Sequence, residues 1–408
     1  MMRKLICLFL IVLLLASCLC ACGEKTAEPT LSAEEILAQR RQIALDYMRK
    51  ELDFYWTCDV ELPYYRGRTG ELEFTYQPGR IYRGIPYTGS GGTKETFLRY
   101  TQSTDERGVH NLSGFAINED TGEYAVSQLG GDCSTSVFNA WNQFASSIRG
   151  DKRNTKSMTP NNGFLRVGEY ESDPNENADT EKTCRENGEA VMFEAYSQLQ
   201  PADAVVHNND GSGHAMMVVS VVIKRNQKTG EIMGNTSYVT VMDQTSGNMA
   251  KEVTEYDETI GAEVYLIGNL EKVCTFTQLY KSGYLPITCK ELRDPSPAEE
   301  SLELITAQQS GDDLASVLES RTLESSRAIN LITLTVIDQE GNELAKCDHV
   351  PKGANANTFP LSLFLTEPSH LFKGALASDL PSGSYGLCCE VLTITGKTQS
   401  WDWEFTVK

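Results

Sequence analysis

Apolar residues recur in this chain with three rhythms: unbroken, helical and alternating. Residues 5–15 form an unbroken run after a short basic start at 1–4. Helical spacing begins at Ala33 and continues to about Phe54, with Ile36, Ile43, Ala44, Tyr47, Met48 and Leu52 on one side. It returns after Gly130-Gly131-Asp132-Cys133-Ser134-Thr135-Ser136, where Val137, Phe138, Trp141, Phe144, Ala145 and Ile148 predict a helix with one buried face. Between them, residues 55–92 are aromatic and glycine-punctuated and read as loop and turn. Residues 152–188 are polar and read as a surface excursion around a cleft. A turn at Gln200-Pro201-Ala202-Asp203 then starts a strand. Gly211-Ser212-Gly213-His214 leads into a nearly continuous apolar run at 215–223, which predicts a central strand buried on both faces. Tyr238-Val239-Thr240-Val241-Met242 returns as the next strand and ends at Asp243-Gln244-Thr245. Further on, 329–336 alternates as a strand before the turn 338–342, and 386–395 and 399–407 are two more strand patterns.

Size and charge narrow the partners. The 408 residues give room for two or three domains. A net charge of −20, spread along the chain, argues against nucleic acid or an anionic membrane surface. The apolar run at 5–15 is too short to span a bilayer comfortably. It is followed by Leu15-Ala16-Ser17-Cys18, which resembles the lipobox of bacterial lipoprotein signals; Leu19-Cys20-Ala21-Cys22 is a poorer second match. That resemblance implies a lipoprotein signal over 1–18, in which Cys18 is acylated and becomes the mature N-terminus, and a polar tether over 19–32. An ordinary cleaved signal or a single hydrophobic anchor are the other readings, and all three place the rest outside the cytoplasm. Of the twelve cysteines, four lie in or beside this segment. Cys274 with Cys289 is the bridge that local spacing favours. No CxxC pair or histidine cluster at zinc spacing occurs, so no metal or cofactor is expected.

Candidate chemistry gathers at three breaks in the pattern. Asp132 is a good N-cap, and Cys133 falls in the first helical turn, where unpaired N–H groups and the helix dipole favour a thiolate. The alternative is a buried cysteine on the apolar stripe. His214 opens the buried strand, and Asp243 closes the next one. His207 is a competitor in polar loop sequence, whereas His110, His349 and His370 have no matching context. A thiol, an imidazole and a carboxylate in this order supply the parts of nucleophilic acyl transfer: the imidazole takes the thiol proton and the carboxylate orients it.

At this point the chain resembles the NlpC/P60 and CHAP superfamily of papain-like cysteine peptidases and amidases. Gly84-Ile85-Pro86-Tyr87 looks like the family's glycine-x-proline-tyrosine loop, and Asp132-Cys133-Ser134 is similar to its nucleophile motif. Gln200-Pro201-Ala202-Asp203 resembles its Pro-Gly-Asp turn, with alanine in place of glycine. Gly213-His214 resembles its base. The link from Tyr87 to Asp132 is longer than the family's, and Gln244 is a second candidate for the third triad position. The resemblance implies an α+β papain-like domain over 33–285, with an antiparallel sheet and an N-terminal nucleophile helix. It implies Cys133 as nucleophile, His214 as base and Asp243 as its orienter, with Tyr87, Asp132, Ser134 and Gln244 binding substrate. The substrate implied is the stem peptide of peptidoglycan, met by a monomer lipid-anchored at the envelope. A transglutaminase-like Cys–His–Asp acyl transferase or protease, and a non-catalytic envelope-binding lipoprotein, remain open.

The remainder differs in kind. Residues 286–325 are acidic, broken at Asp294-Pro295-Ser296-Pro297, and predict a helical linker. Residues 326–408 predict a small β-sandwich that resembles the immunoglobulin-like or fibronectin-like modules of exported bacterial proteins, through Leu380-Pro381-Ser382-Gly383-Ser384-Tyr385. Wall binding and a spacer are both open for it. Adjacent Cys388 and Cys389 face opposite sides of one strand.

Overall fold

The structure is a computed structural model that describes residues 31–65, 71–89, 91–101, 103–112, 129–160, 163–173, 179–209, 212–366 and 380–408. Cys18, the lipobox, Gly211 and His370 lie outside the described residues. Among those described, no helix is long and apolar enough to cross a membrane.

The chain is α+β with a β-sandwich part. Its first helix, Ala33–Leu52, starts in a capping box in which Ser32 and Glu35 satisfy each other's backbone N–H. Its buried face (Ala44, Leu45, Tyr47, Met48, Leu52) packs on the helix Cys133–Asn142, all ten residues of which are buried. Both helices belong to the core of a six-stranded antiparallel sheet. Its order is Gly268–Thr275, Tyr238–Gln244, Ser212–Val222, Ala204–Asn209, Leu285–Cys289 and Phe164–Arg166. Ala215 to Val218 are buried in the middle of this sheet, whereas Val219 to Ile223 of the same run are half-buried or exposed, so only the first half of the expected strand is covered on both faces.

Several expectations change. Residues 55–92 are not only loop: Tyr55–Cys58, Leu62–Tyr65, Leu72–Tyr76 and Tyr82–Arg83 are strands. Two of them join a mixed six-stranded sheet around buried Trp56 and Tyr82, and the other two form a hairpin. Aromatic packing supplies there what the frequent glycines obscure. The 152–188 stretch is not all surface, since Met158, Phe164, Val167 and Tyr170 are core residues. His207 lies in a strand, directly opposite His214.

The span 286–325 is not a helical linker. Leu302–Thr306 and Arg321–Ser325 are paired strands, with only Leu314–Glu319 helical between them. Leu302, Val317, Leu318 and Leu323 supply apolar positions that the acidic composition hides. With Thr358–Pro360 these strands make a three-stranded sheet. It shares one core with the four-stranded sheet Glu343–His349, Ile329–Ile337, Gly383–Thr393 and Thr398–Val407. The sandwich thus begins at Leu302 rather than at 326. Cys389 is buried in its core and Cys388 is half-exposed, as strand alternation requires.

The sandwich is docked on the first body by buried polar contacts. Asn330 donates to Thr93 Oγ1 at 2.8 Å and accepts from Thr96 at 2.9 Å. Tyr100 donates to Asp348 at 2.6 Å, and the Ala328 N–H to Asn142 Oδ1 at 2.6 Å.

A Cys274–Cys289 bridge is excluded by the sheet order. Three strands lie between theirs, a separation of about 19 Å at the usual strand spacing. A disulfide needs Cα atoms within about 7 Å. Neither Cys274 nor Cys289 is in a disulfide.

Candidate active site

The helix that begins at Cys133, the candidate nucleophile, is positioned by its own cap and by a loop that only glycine can approach. Asp132 Oδ1 accepts the Thr135 N–H at 2.7 Å and the Ser134 hydroxyl at 2.9 Å, and the Asp132 carbonyl accepts the Ser136 N–H. This closes the first turn and leaves the N–H groups of Cys133 and Ser134 without intrahelical partners. Before the cap, Gly131 bridges to Tyr87: its N–H donates to the Pro86 carbonyl and its carbonyl accepts from Thr88. A Cβ at Gly130 would collide with the Pro86 carbonyl oxygen, so close approach of backbone to backbone is what demands glycine there. Gly84 takes a φ of +99° and turns the Gly84-Ile85-Pro86-Tyr87 loop toward the helix, with its carbonyl held by Trp56 Nε1 at 2.8 Å.

The candidate base, His214, comes from the sheet. His214 Nε2 lies 2.7 Å from Asp243 Oδ2, which leaves Nδ1 for the Cys133 thiol. Burial by itself lowers the pKa of His214, but its electrostatic interactions and hydrogen bonds with Cys133 and Asp243 outweigh it and push it up to about 10. Asp243 is fully buried. Burial raises its pKa, and His214, Lys272 and Asn269 together hold it below the usual carboxylate value. Asn269 donates to Oδ1 at 2.7 Å, and Lys272 Nζ sits 3.1 Å from Oδ2. The Asp243 strand carries a register irregularity on each edge, at 240/241 and at 241/243. Such bulges re-aim a side chain beside a site.

The structure brings together Cys133, His214, Asp243, Asp132 and Tyr87. Tyr87 is held by its N–H, which donates to Tyr76 Oη at 2.8 Å. Burial, then the negative charges of Cys133 and Asp132, push its phenol pKa well up, so the hydroxyl stays protonated beside the nucleophile. Ser134 and Gln244 are placed otherwise than as substrate ligands. The Ser134 hydroxyl is buried and donates to Asp132 Oδ1 and to the Arg153 carbonyl at 3.1 Å. Gln244 is fully buried; Nε2 donates to the Ile85 and Pro86 carbonyls at 3.0 and 3.1 Å, while Oε1 accepts from Ser136 at 2.5 Å. It clamps the Tyr87 loop to the nucleophile helix, because a buried amide must spend all its hydrogen-bonding groups.

Three residues at the site gave no sequence signal. Asn269 and Lys272 reach Asp243 from the neighbouring strand. The ring of Tyr284 packs edge-on to His214, with centroids 6.4 Å apart. The one accessible clue is the 243↔269 register, which needs the sheet order. The Ala202 position was legible: it takes a φ of +68°, the left-handed region glycine would occupy, and its carbonyl accepts from Trp141 Nε1 at 2.8 Å. Asp203 beyond it is fully buried and ion-paired to Arg41 and Arg293 at 3.3 and 2.8 Å. Among the described residues no cluster of three His, Cys, Asp or Glu could hold a metal.

No family model and no curated protein matches the chain. Among solved structures, CopC from Methylosinus trichosporium OB3b is similar at 17% identity, covering 27% of this chain and 94% of CopC, with a TM-score of 0.16. That likeness is too slight to bear on the site.

Proposed function

We propose that this protein is a papain-like cysteine hydrolase of the NlpC/P60–CHAP type that cleaves peptide or amide bonds in the stem peptides of peptidoglycan at the bacterial envelope. The observation that carries the reading is the 2.7 Å His214–Asp243 contact, with Cys133 at a helix start interacting with the same imidazole. The chemistry then follows. The Cys133 thiol gives its proton to His214 Nδ1, and Sγ attacks the carbonyl carbon. The N–H groups of Cys133 and Ser134 face the oxyanion. Breaking the C–N bond, the amine leaves with the proton from His214. A water, deprotonated by His214, then hydrolyses the thioester to a carboxylic acid and returns the thiol. Asp243 keeps the imidazole oriented and stabilises its charged form. The Tyr87 hydroxyl and the outer oxygen of Asp132 face the substrate's polar groups. The substrate class rests on the motif resemblance, and a lipid anchor at Cys18 would hold the enzyme beside it.

The test is incubation of the mature protein with purified peptidoglycan, and mass spectrometry of what is released. New muropeptides from the wild type and none from Cys133→Ala support the reading, and their masses name the bond. If a thiol reagent modifies Cys133 but amine-acceptor peptides are joined rather than cut, transglutaminase-like acyl transfer replaces it. With neither product nor labelling, the domain is a non-catalytic envelope-binding scaffold.

A further inference from the structure

We infer that the C-terminal sandwich is a positioning element of the catalytic centre, acting through the segment 149–155 as a strut. The inference rests on Cys133 and His214 being the reacting pair proposed above.

Both ends of this segment are fixed by different parts of the molecule. At the sandwich end, the Gly150 N–H donates to Asn357 Oδ1 at 2.7 Å, and Arg149 donates to Thr358 Oγ1 at 3.0 Å. Asn357 is fully buried, and its Nδ2 donates to the Ser325 carbonyl at 3.1 Å, so its orientation is set by the sandwich. The fit is close: a Cβ on Gly150 would collide with the Gly353 carbonyl oxygen and lie 2.7 Å from Ala356 Cβ. Gly150 has no positive φ; the contact with the sandwich is what calls for glycine.

At the catalytic end the same segment touches a chain neighbour of each member of the reacting pair. The Arg153 carbonyl accepts from Ser134, the residue after the nucleophile, whose hydroxyl also bonds the Asp132 cap. The half-buried Arg153 guanidinium lies beside Asp132: desolvation lowers its pKa, and the Asp132 charge opposes that. The Thr155 side chain packs so closely on Gly213, the neighbour of His214, that a Cβ there would collide with it. A displacement at Asn357 is therefore relayed over five residues to the cap of Cys133 and the backbone before His214. A module serving only to bind the wall or to space the domain needs none of these contacts.

The experiment measures Cys133 alkylation by iodoacetamide at pH 6, and kcat and KM on a stem peptide, in the full-length mature protein. Unfolding midpoints are recorded alongside. Gly150→Ala and Asn357→Ala are expected to slow alkylation and lower kcat by about tenfold, with KM nearly unchanged, as a misplaced reacting pair requires. Arg99→Ala, which breaks an exposed ion pair to Glu390 at the same domain boundary but off the strut, is expected to leave both rates at wild-type values. If Gly150→Ala fails to fold, Thr358→Val removes only the exposed Arg149 bond and is expected to slow alkylation about two- to threefold. Wild-type rates in folded Gly150→Ala, Asn357→Ala or Thr358→Val would overturn the strut. A wild-type Cys133 no more reactive than the seven other described cysteines would overturn the nucleophile reading first, and the strut with it.

Discussion

Asp243 and Glu51 both lie fully inside this molecule, within reach of the Cys133 helix and its partner, and their pKa values are shifted in opposite directions. Asp243, at the head of the central sheet, is met by His214, Asn269 and Lys272, and its pKa is lowered. Glu51, at the C-terminal end of the first helix, accepts one N–H from Lys94 at 2.8 Å, and its Oε1 has no hydrogen-bond partner among the described residues. Burial pushes its pKa up to about 7, and the nearby Lys94 and Lys50 charges only partly oppose this. Depth does not keep a carboxylate charged. Donors and a cation converging on both oxygens do, because they replace the water that burial removes.

The contrast can be broken most sharply at Asp243. Asp243→Asn keeps the shape but loses the charge that holds the imidazole, and kcat on a stem peptide is expected to fall by about 10²–10⁴-fold. An effect under threefold would mean that His214 is oriented by something else.

Next in size is the pH response of Glu51. Its folded pKa of about 7 is above the ordinary 4.5, so its stabilising contribution is complete below about 4.5 and is lost as pH rises through about 7. The shift corresponds to about 3 kcal/mol between those limits. Denaturant unfolding of wild type and Glu51→Gln at pH 5 and pH 8 checks this: the wild type should lose more stability than the variant on going to pH 8. The Asp243 contribution has the opposite sign. It is present above about 3.8 and disappears as pH falls through the lowered folded value, so Asp243→Asn should flatten the acid limb below about pH 4.

Smaller effects separate the partners of Asp243. Asn269→Ala removes a bond to a buried charge and should cost about 1.5–3 kcal/mol in transition-state stabilisation, read as a fall in kcat/KM. Lys272 is 40% exposed, so Lys272→Met should cost about 1 kcal/mol or less. Equal losses would show that solvent does not screen the lysine. The smallest change concerns Ala202: Ala202→Gly relieves a left-handed alanine and should raise stability by at most about 1 kcal/mol in thermal unfolding.

The legible parts of the site are those where a local pattern breaks. Cys133 stands where two glycines and an N-cap begin a helix, His214 where a glycine precedes an apolar run, and Asp243 where a strand ends. Their order along the chain was enough to set them side by side as candidates. Asn269, Lys272 and Tyr284 were not legible, because each reaches the site through strand register or a turn far away in sequence. Gln244 and Ser134 were mistaken for cleft residues since a motif gives a position but not the direction of a side chain. Fold legibility failed for a different reason. The strands at 302–306 and 321–325 are short and bring only Leu302 and Leu323 fully into the core, so their acidic surroundings read as linker composition until a partner strand shows which face is inside. The aromatic strands near 55–83 were concealed by glycine and proline spaced every few residues, although Trp56, Tyr76 and Tyr82 pack into one cluster.

The most direct measurement is acid-quenched mass spectrometry of the wild type, His214→Ala and Asp243→Asn after mixing with an activated stem-peptide ester. The account predicts a single acyl adduct on the peptide that contains Cys133, formed rapidly by the wild type, slowly by Asp243→Asn and not detectably by His214→Ala. An adduct on another cysteine, or turnover of the peptide by Cys133→Ala, would contradict it.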